Sequence, residues 1–245
     1  MYQKIYHINN TLNLDNHKCF HDMNTYPDFQ KNLSKFKSHI IELVDKKLSA
    51  TFYKFGDGDY RFLKKIEFGS AAPGKRAISK SYNEIDHSQF TDGAQLCDYY
   101  TCEIYPENRK MFAEVINKSI DYAAEYGYGL VANKWFFETF KGRIGILGAS
   151  EKLNVIAELM QYKEYQNYLG IDSFTDYIHF PQKYAADDIE KVESFIGDQL
   201  KNSTADIFLL GIGHSKSGLL HTFKKYKSAV YLDVGAGIDM IAGCI

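Results

Sequence analysis

The stretch Asp206-Ile207-Phe208-Leu209-Leu210-Gly211-Ile212-Gly213-His214-Ser215 decides the fold class. Four apolar residues in succession, with no polar alternation, suit a strand covered on both faces, as in a parallel sheet between two helical layers. The run stops on a glycine turn, and the residues from there to about Lys225 read as a helix. The same unit recurs on either side. Arg143–Leu147 reads as a strand closing in Gly148-Ala149-Ser150, before a helix with Leu153, Ile156, Ala157 and Met160 as its stripe. Ala229–Leu232 is a last strand, running into Asp233-Val234-Gly235-Ala236-Gly237. Thr175–Phe180 reads as a strand, and Ile189, Val192, Ile196 and Leu200 mark a helix over 185–200. Tyr128–Ala132 reads as a further strand, with a helix near Trp135–Phe140 in which Trp135 packs rather than stacks on a ligand.

Towards the N-terminus, Phe29, Leu33, Phe36, Ile40 and Leu43 recur at helical spacing behind Pro27. Ala50–Phe55 is a short β-rich run ending in Gly56-Asp57-Gly58-Asp59, and Tyr60, Phe62, Leu63 and Ile66 resume a helical pattern. Residues 67–105 read as loops around a short helix, and Glu107 to Tyr126 as one helix with Phe112, Val115, Ile116, Ile120 and Ala123 on its stripe. Strands alternating with helices predict α/β architecture: a single Rossmann-like domain over 50–245, its mostly parallel sheet covered by helices on both faces. An N-terminal extension, an arm and helix over 1–49 packed on the main domain, precedes it.

Of the 245 residues, 45% are hydrophobic and 24% charged, which excludes a disordered chain. A net charge of −2 offers no basic field for nucleic acid. No apolar run approaches the roughly 20 residues of a membrane helix. The start, MYQKIYHINN, lacks the apolar stretch of a secretion signal, and Cys19, Cys97, Cys102 and Cys244 form no C-x-x-C pair. Both point to a cytoplasmic protein with reduced thiols. His17, Cys19 and His21 share one face of an extended segment, but no fourth ligand for a structural zinc lies nearby. Tyr 19 and Phe 17 make up most of an aromatic share of 15%. Phe29, Phe36, Phe62, Phe112, Phe195 and Phe208 fall on stripes or strands and read as core, whereas Tyr60, Tyr82, Tyr99, Tyr100 and Tyr105 lie in or beside the irregular segment.

In open α/β sheets the ligand lies outside the carboxyl ends of the strands. Four such ends carry glycine or aspartate turns here, after Phe55, Leu147, Leu210 and Leu232. Glycine lets backbone approach a ligand, and helix N-termini offer free N–H groups to phosphate. Asp57 and Asp59, one residue apart at a strand end, can both point at a Mg²⁺ or Mn²⁺ that also holds a diphosphate. The competing use of the same residues is an Asx turn in which Asp57 caps the following helix and Asp59 rides in its first turn. No Walker A loop and no G-x-S-x-G elbow is present, and the Asp233–Gly237 turn lies too near the end to open a methyltransferase domain.

Lys54-Phe55-Gly56-Asp57-Gly58-Asp59 resembles the (R/K)-(F/Y)-G-D-G-E signature of the bacterial and phage GT-D glycosyltransferases. The closing pattern of Ile207–Gly213, Leu219–Tyr226 and Val230–Gly235 is similar to that family's ending, so the resemblance spans residues 50–243. It implies a Rossmann-like enzyme that moves a sugar from a nucleoside diphosphate, UDP foremost, to a glycan or other hydroxyl acceptor. Carried over by position, Asp57 and Asp59 are the catalytic and metal-binding pair, Asp59 standing where the family has Glu, about 1.5 Å shorter in reach. Gly56, Gly58, Gly148, Ser150, Gly211, Gly213, His214, Ser215 and Asp233 are then expected on the nucleotide-sugar, and Tyr60, Tyr82 and Arg76 on the acceptor side. A non-catalytic nucleotide- or sugar-binding module, or a transferase or hydrolase for another phosphorylated ligand, are the alternative readings.

Overall fold

The computed structural model describes residues 26–66, 78–79, 84–181 and 183–242. Seven strands form one all-parallel sheet: β1 (Ala50–Phe55), β2 (Tyr99–Cys102), β3 (Tyr122–Ala123), β4 (Ile144–Ala149), β5 (Asp176–Phe180), β6 (Ile207–Gly211) and β7 (Val230–Asp233). Their order is β3-β2-β1-β7-β6-β4-β5. The chain winds outward from β1 through β2 and β3, crosses to the other half, and returns inward through β6 to β7, which pairs with β1 at Ala50↔Val230 and Phe52↔Leu232. The order therefore reverses between β1 and β7.

Helices cover both faces. One layer holds α1 (Tyr26–Asp45), α5 (Ala124–Ala132), α6 (Trp135–Thr139), α7 (Ser150–Leu159), α8 (Lys163–Leu169) and α11 (Gly237–Ile241), packed on Phe52, Ile146, Leu209 and Leu232. The other holds α2 (Asp57–Leu63), α3 (Ser88–Gln95), α4 (Pro106–Val115), α9 (Ile189–Lys201), α10 (Lys216–Leu219) and a 3₁₀ segment Leu220–Lys225, packed on Tyr53, Phe55, Leu210 and Tyr231. Successive strand residues face opposite layers, so both must be apolar, and each Phe or Leu fully buried this way contributes about 1.5–3 kcal/mol. Phe36, Ile40, Leu43 and Val44 of α1 lie in the same core as β1 and β7, which makes this helix a layer of the domain.

Several sequence expectations are corrected. Tyr128–Ala132 is helical, the end of the buried α5; a short apolar run does not distinguish strand from buried helix. The helix expected to reach Tyr126 stops at Val115, and Tyr122–Ala123 forms the edge strand β3. Within the supposed loops lies β2, where Tyr100 is buried and donates to the carbonyls of Ala94 and Cys97 at 3.0 and 3.1 Å. Tyr99 stacks on Phe52 with centroids 4.8 Å apart. Both are packing residues. Helix α2 ends at Leu63, where Lys65 turns left-handed (φ 60°), and Ile66 is exposed. Phe195 is 49% exposed, on the outer face of α9. Trp135 packs edge-on against Phe136 and Phe140, as expected.

The outer edge of β5 is tied to helix α9. His179 donates its N–H to Gln199 Oε1 at 2.8 Å, and Gln199 Nε2 donates back to the His179 carbonyl at 3.0 Å. Among the described residues no helix is long and apolar enough to cross a membrane.

Candidate functional site

Gly56 follows the last residue of β1 and is the N-cap of α2, so Asp57 is its first residue and Asp59 its third. Residues two apart on a helix point about 200° apart. Asp57 accordingly faces solvent, while Asp59 is 5% exposed. Asp59 Oδ2 accepts from the Gly56 N–H at 2.9 Å, the carboxylate half of a capping box. The helix is capped through Gly56 and Asp59 and not by Asp57 as expected, and the structure does not bring the two carboxylates together.

What Asp59 faces is a lysine that sequence reasoning passed over. Lys216 Nζ lies 3.1 Å from Asp59 Oδ2 and 2.6 Å from Asp233 Oδ2, and donates to the Lys54 carbonyl. Lys216 is buried, with its ammonium 4.8 Å from the Tyr53 ring centre. Tyr53 donates to Asp59 Oδ1 at 3.3 Å and shares a 2.9 Å bond with Ser217 Oγ. His214 Nδ1 is 4.0 Å from Asp59 Oδ1. Burial opposes ionisation of Asp59, but Lys216 and His214 outweigh it and hold its pKa near 2, down from an ordinary 3.8. Burial likewise opposes the charge on Lys216, and Asp233 and Asp59 reverse that, raising its pKa.

Asp233, the end of β7, also accepts from the Lys54 N–H at 3.2 Å and the Gly235 N–H at 2.9 Å. Its contacts join β1, α10 and the turn after β7 at the point where the strand order reverses. That is where ligands bind in doubly wound sheets.

On the other side of β1 lies a second polar group. Lys54 Nζ sits 5.0 Å from the Tyr128 ring centre and 3.9 Å from Glu103 Oε1, with its side chain 12% exposed. Burial opposes its charge, but Tyr128, Asp233 and Glu103 prevail and its pKa is raised. Lys54 therefore stays cationic. Glu103, just past the end of β2, is part-exposed and accepts from Asn108 Nδ2 at 2.5 Å. Gly56 and Gly235 border the Lys54 side chain, where a Cβ would touch it at 3.6 and 3.4 Å.

The remaining expected residues divide. Gly58 and His214 join the cluster, Gly213 is exposed beside it with φ +57°, and Ser215 is buried below. At Gly148 and Gly211 the space is taken by Ile238 of α11: added Cβ atoms would meet it at 3.3 and 3.0 Å, and at Gly211 would strike the Gly235 carbonyl at 2.5 Å. These two glycines serve packing instead of opening onto a ligand. Ser150 donates to the Phe180 carbonyl at 3.4 Å, on the same covered half. Tyr60 donates to Glu114 of α4 at 2.7 Å at the rim. Arg76, Tyr82 and the His17–Cys19–His21 group lie outside the described residues.

A divalent cation shared by Asp57 and Asp59 does not fit this arrangement, because one carboxylate is exposed and the other is committed to Lys216. Among the described residues no group of three or more His, Cys, Asp or Glu is placed to hold a metal ion. Lys216 lay within reach of sequence reasoning, in the Gly213-His214-Ser215-Lys216 turn; Glu103 and Tyr128 did not, since their strand and helix were misread. The chain matches no protein-family model, no curated protein and no solved structure.

Proposed function

We propose that the chain is a glycosyltransferase, moving a sugar from a nucleoside diphosphate to a hydroxyl acceptor. One observation carries this: the Lys54–Asp59 motif that resembles GT-D enzymes lies where the strand order reverses, bonded to Asp233 in the last closing segment of the same resemblance and to Lys216, which lies between the first two.

The reaction is written as one displacement. The acceptor oxygen bonds to the anomeric carbon as the bond from that carbon to the diphosphate oxygen breaks, its electron pair leaving with the diphosphate. Lys54, held cationic at the end of β1, receives the charge that develops on the leaving group; such a fixed charge in a water-poor site is worth several kcal/mol. Glu103, 3.9 Å from Lys54, takes the acceptor proton. Asp59 and Asp233 do not touch substrate in this scheme. They hold the ends of β1 and β7 through Lys216, so that Lys54 and the Gly56 and Gly235 backbone keep their places. Gly213 and His214 line the donor side, and Tyr60 and Tyr128 the acceptor side.

The test is a panel of nucleotide sugars, with release of free nucleoside diphosphate as the readout. Slow donor hydrolysis that disappears in Lys54→Met supports the proposal. Binding without release across the panel identifies a non-catalytic module, and turnover of phosphate esters that contain no sugar nucleotide identifies a different phosphate-ligand enzyme.

A further inference from the structure

The ammonium of Lys216 occupies the place between carboxylates that a metal would need. We propose that Lys216 is the permanent cation between Asp59 and Asp233, and that a diphosphate-bearing ligand is bound beside it, at Lys54, without a divalent metal. The ligand's identity rests on the glycosyltransferase reading; the exclusion of metal from the Asp59–Asp233 pair does not.

Three features support it. An ammonium has three protons to donate, and Lys216 faces three acceptors: Asp59 Oδ2 at 3.1 Å, Asp233 Oδ2 at 2.6 Å and the Lys54 carbonyl. These come from α2, β7 and β1, the elements that converge at the reversal of strand order. Second, both carboxylates of the pair already face a cation: Asp59 and Asp233 each contact Lys216, with Lys54 nearby. A dication between Asp59 and Asp233 would therefore have to settle beside two ammonium groups. Third, the shell is dry and one-sided. Lys216 and Asp233 side chains are 7% and 1% exposed and the Tyr53 ring closes one side, whereas Mg²⁺ keeps several waters and demands near-octahedral oxygen at about 2.0–2.1 Å. A lysine in this position also cannot be removed by a chelator, so the ends of β1 and β7 stay joined whatever the metal supply.

The full-length chain is titrated with Mn²⁺ alone, free metal being followed by paramagnetic resonance, and UDP binding is measured by calorimetry in EDTA and in Mn²⁺. The wild-type chain is expected to take up no Mn²⁺, and the UDP dissociation constant to agree within about threefold between the two buffers. Lys216→Ala, which leaves two facing carboxylates, is expected to gain Mn²⁺ binding and a metal-dependent rise in melting temperature. If that variant does not fold, the two wild-type measurements decide alone. Mn²⁺ uptake by the wild-type chain that Asp59→Asn abolishes, or UDP binding only in Mn²⁺, overturns the proposal. Absence of UDP binding in both buffers counts against the glycosyltransferase reading, and the Mn²⁺ titration still decides the inference.

Discussion

The imidazole of His214 lies flat on Phe62, ring centroids 5.3 Å apart and planes within 10°, and it fits there because Gly58 has no side chain. A Cβ at Gly58 would meet His214 Cε1 at 2.8 Å. Gly58→Ala adds helix propensity worth up to about 1 kcal/mol in α2, so the fold should keep or slightly gain stability while the imidazole is driven off Phe62. The expected signature is loss of the ring-current shift on the His214 Cε1 proton, at a melting temperature no lower than wild type. An unchanged resonance would show that the close approach is not limiting.

Acid should weaken the fold through Asp59. Its folded pKa of about 2 lies below the ordinary 3.8, so its contribution is complete above the ordinary value and disappears as pH falls towards the folded one. The size is about 2 kcal/mol. Denaturant midpoints of wild type and Asp59→Asn, compared from about pH 6 to about pH 2, should differ most at the upper end and converge at the lower. Parallel curves would mean that Asp59 titrates normally.

Glu103 and Lys54 should separate chemistry from binding. Glu103→Gln is expected to lower kcat by about 10²–10⁴-fold, the usual cost of a lost general base, with donor affinity within about threefold of wild type. Lys54→Met removes a charge-assisted contact worth about 1.5–3 kcal/mol and should weaken donor binding by about tenfold or more. Because the Lys54 pKa is raised, donor affinity should hold steady well into alkaline pH. A Glu103→Gln enzyme with unchanged kcat assigns the base elsewhere.

The β4–β6 half of the sheet edge was legible as a set of glycine turns but not as a covered surface. Arg143–Leu147, Asp206–Leu210 and Ala229–Leu232 read as strands, within two residues of their actual ends, because both faces of these strands are buried, leaving an unbroken apolar run. β2 was missed for the opposite reason. Its Tyr-Tyr-Thr-Cys sequence carries hydroxyls, and only the partners reveal why they are buried: the Tyr100 hydroxyl reaches two carbonyls at the end of α3. At the site, the Lys54–Asp59 motif and Asp233 stood out by type and spacing. Their division of labour did not, because the difference between a shared cation and a helix cap depends on where Lys216, more than 150 residues away in sequence, delivers its charge.

Cys97 and Cys102 are both buried, and burial pushes each thiol up to about 12. Thiolate, the reactive form, is then scarce at neutral pH. In a Cys19→Ser/Cys244→Ser background, an aromatic disulfide reagent should label neither residue in the native state and both in denaturant. Prompt labelling under native conditions would show that the region around β2 opens readily.

The clasp between Gln199 and His179 occupies backbone that a neighbouring molecule could otherwise pair with. A parallel sheet has two free margins, and an unoccupied margin is a template on which a second chain can polymerise. At β5 the amide of Gln199 has already taken both backbone groups of His179; at the opposite margin β3 is only two residues long. Among the described residues each margin is thus shortened or partly occupied, and Gln199→Ala, which frees the His179 backbone, should lower the concentration at which solutions turn cloudy.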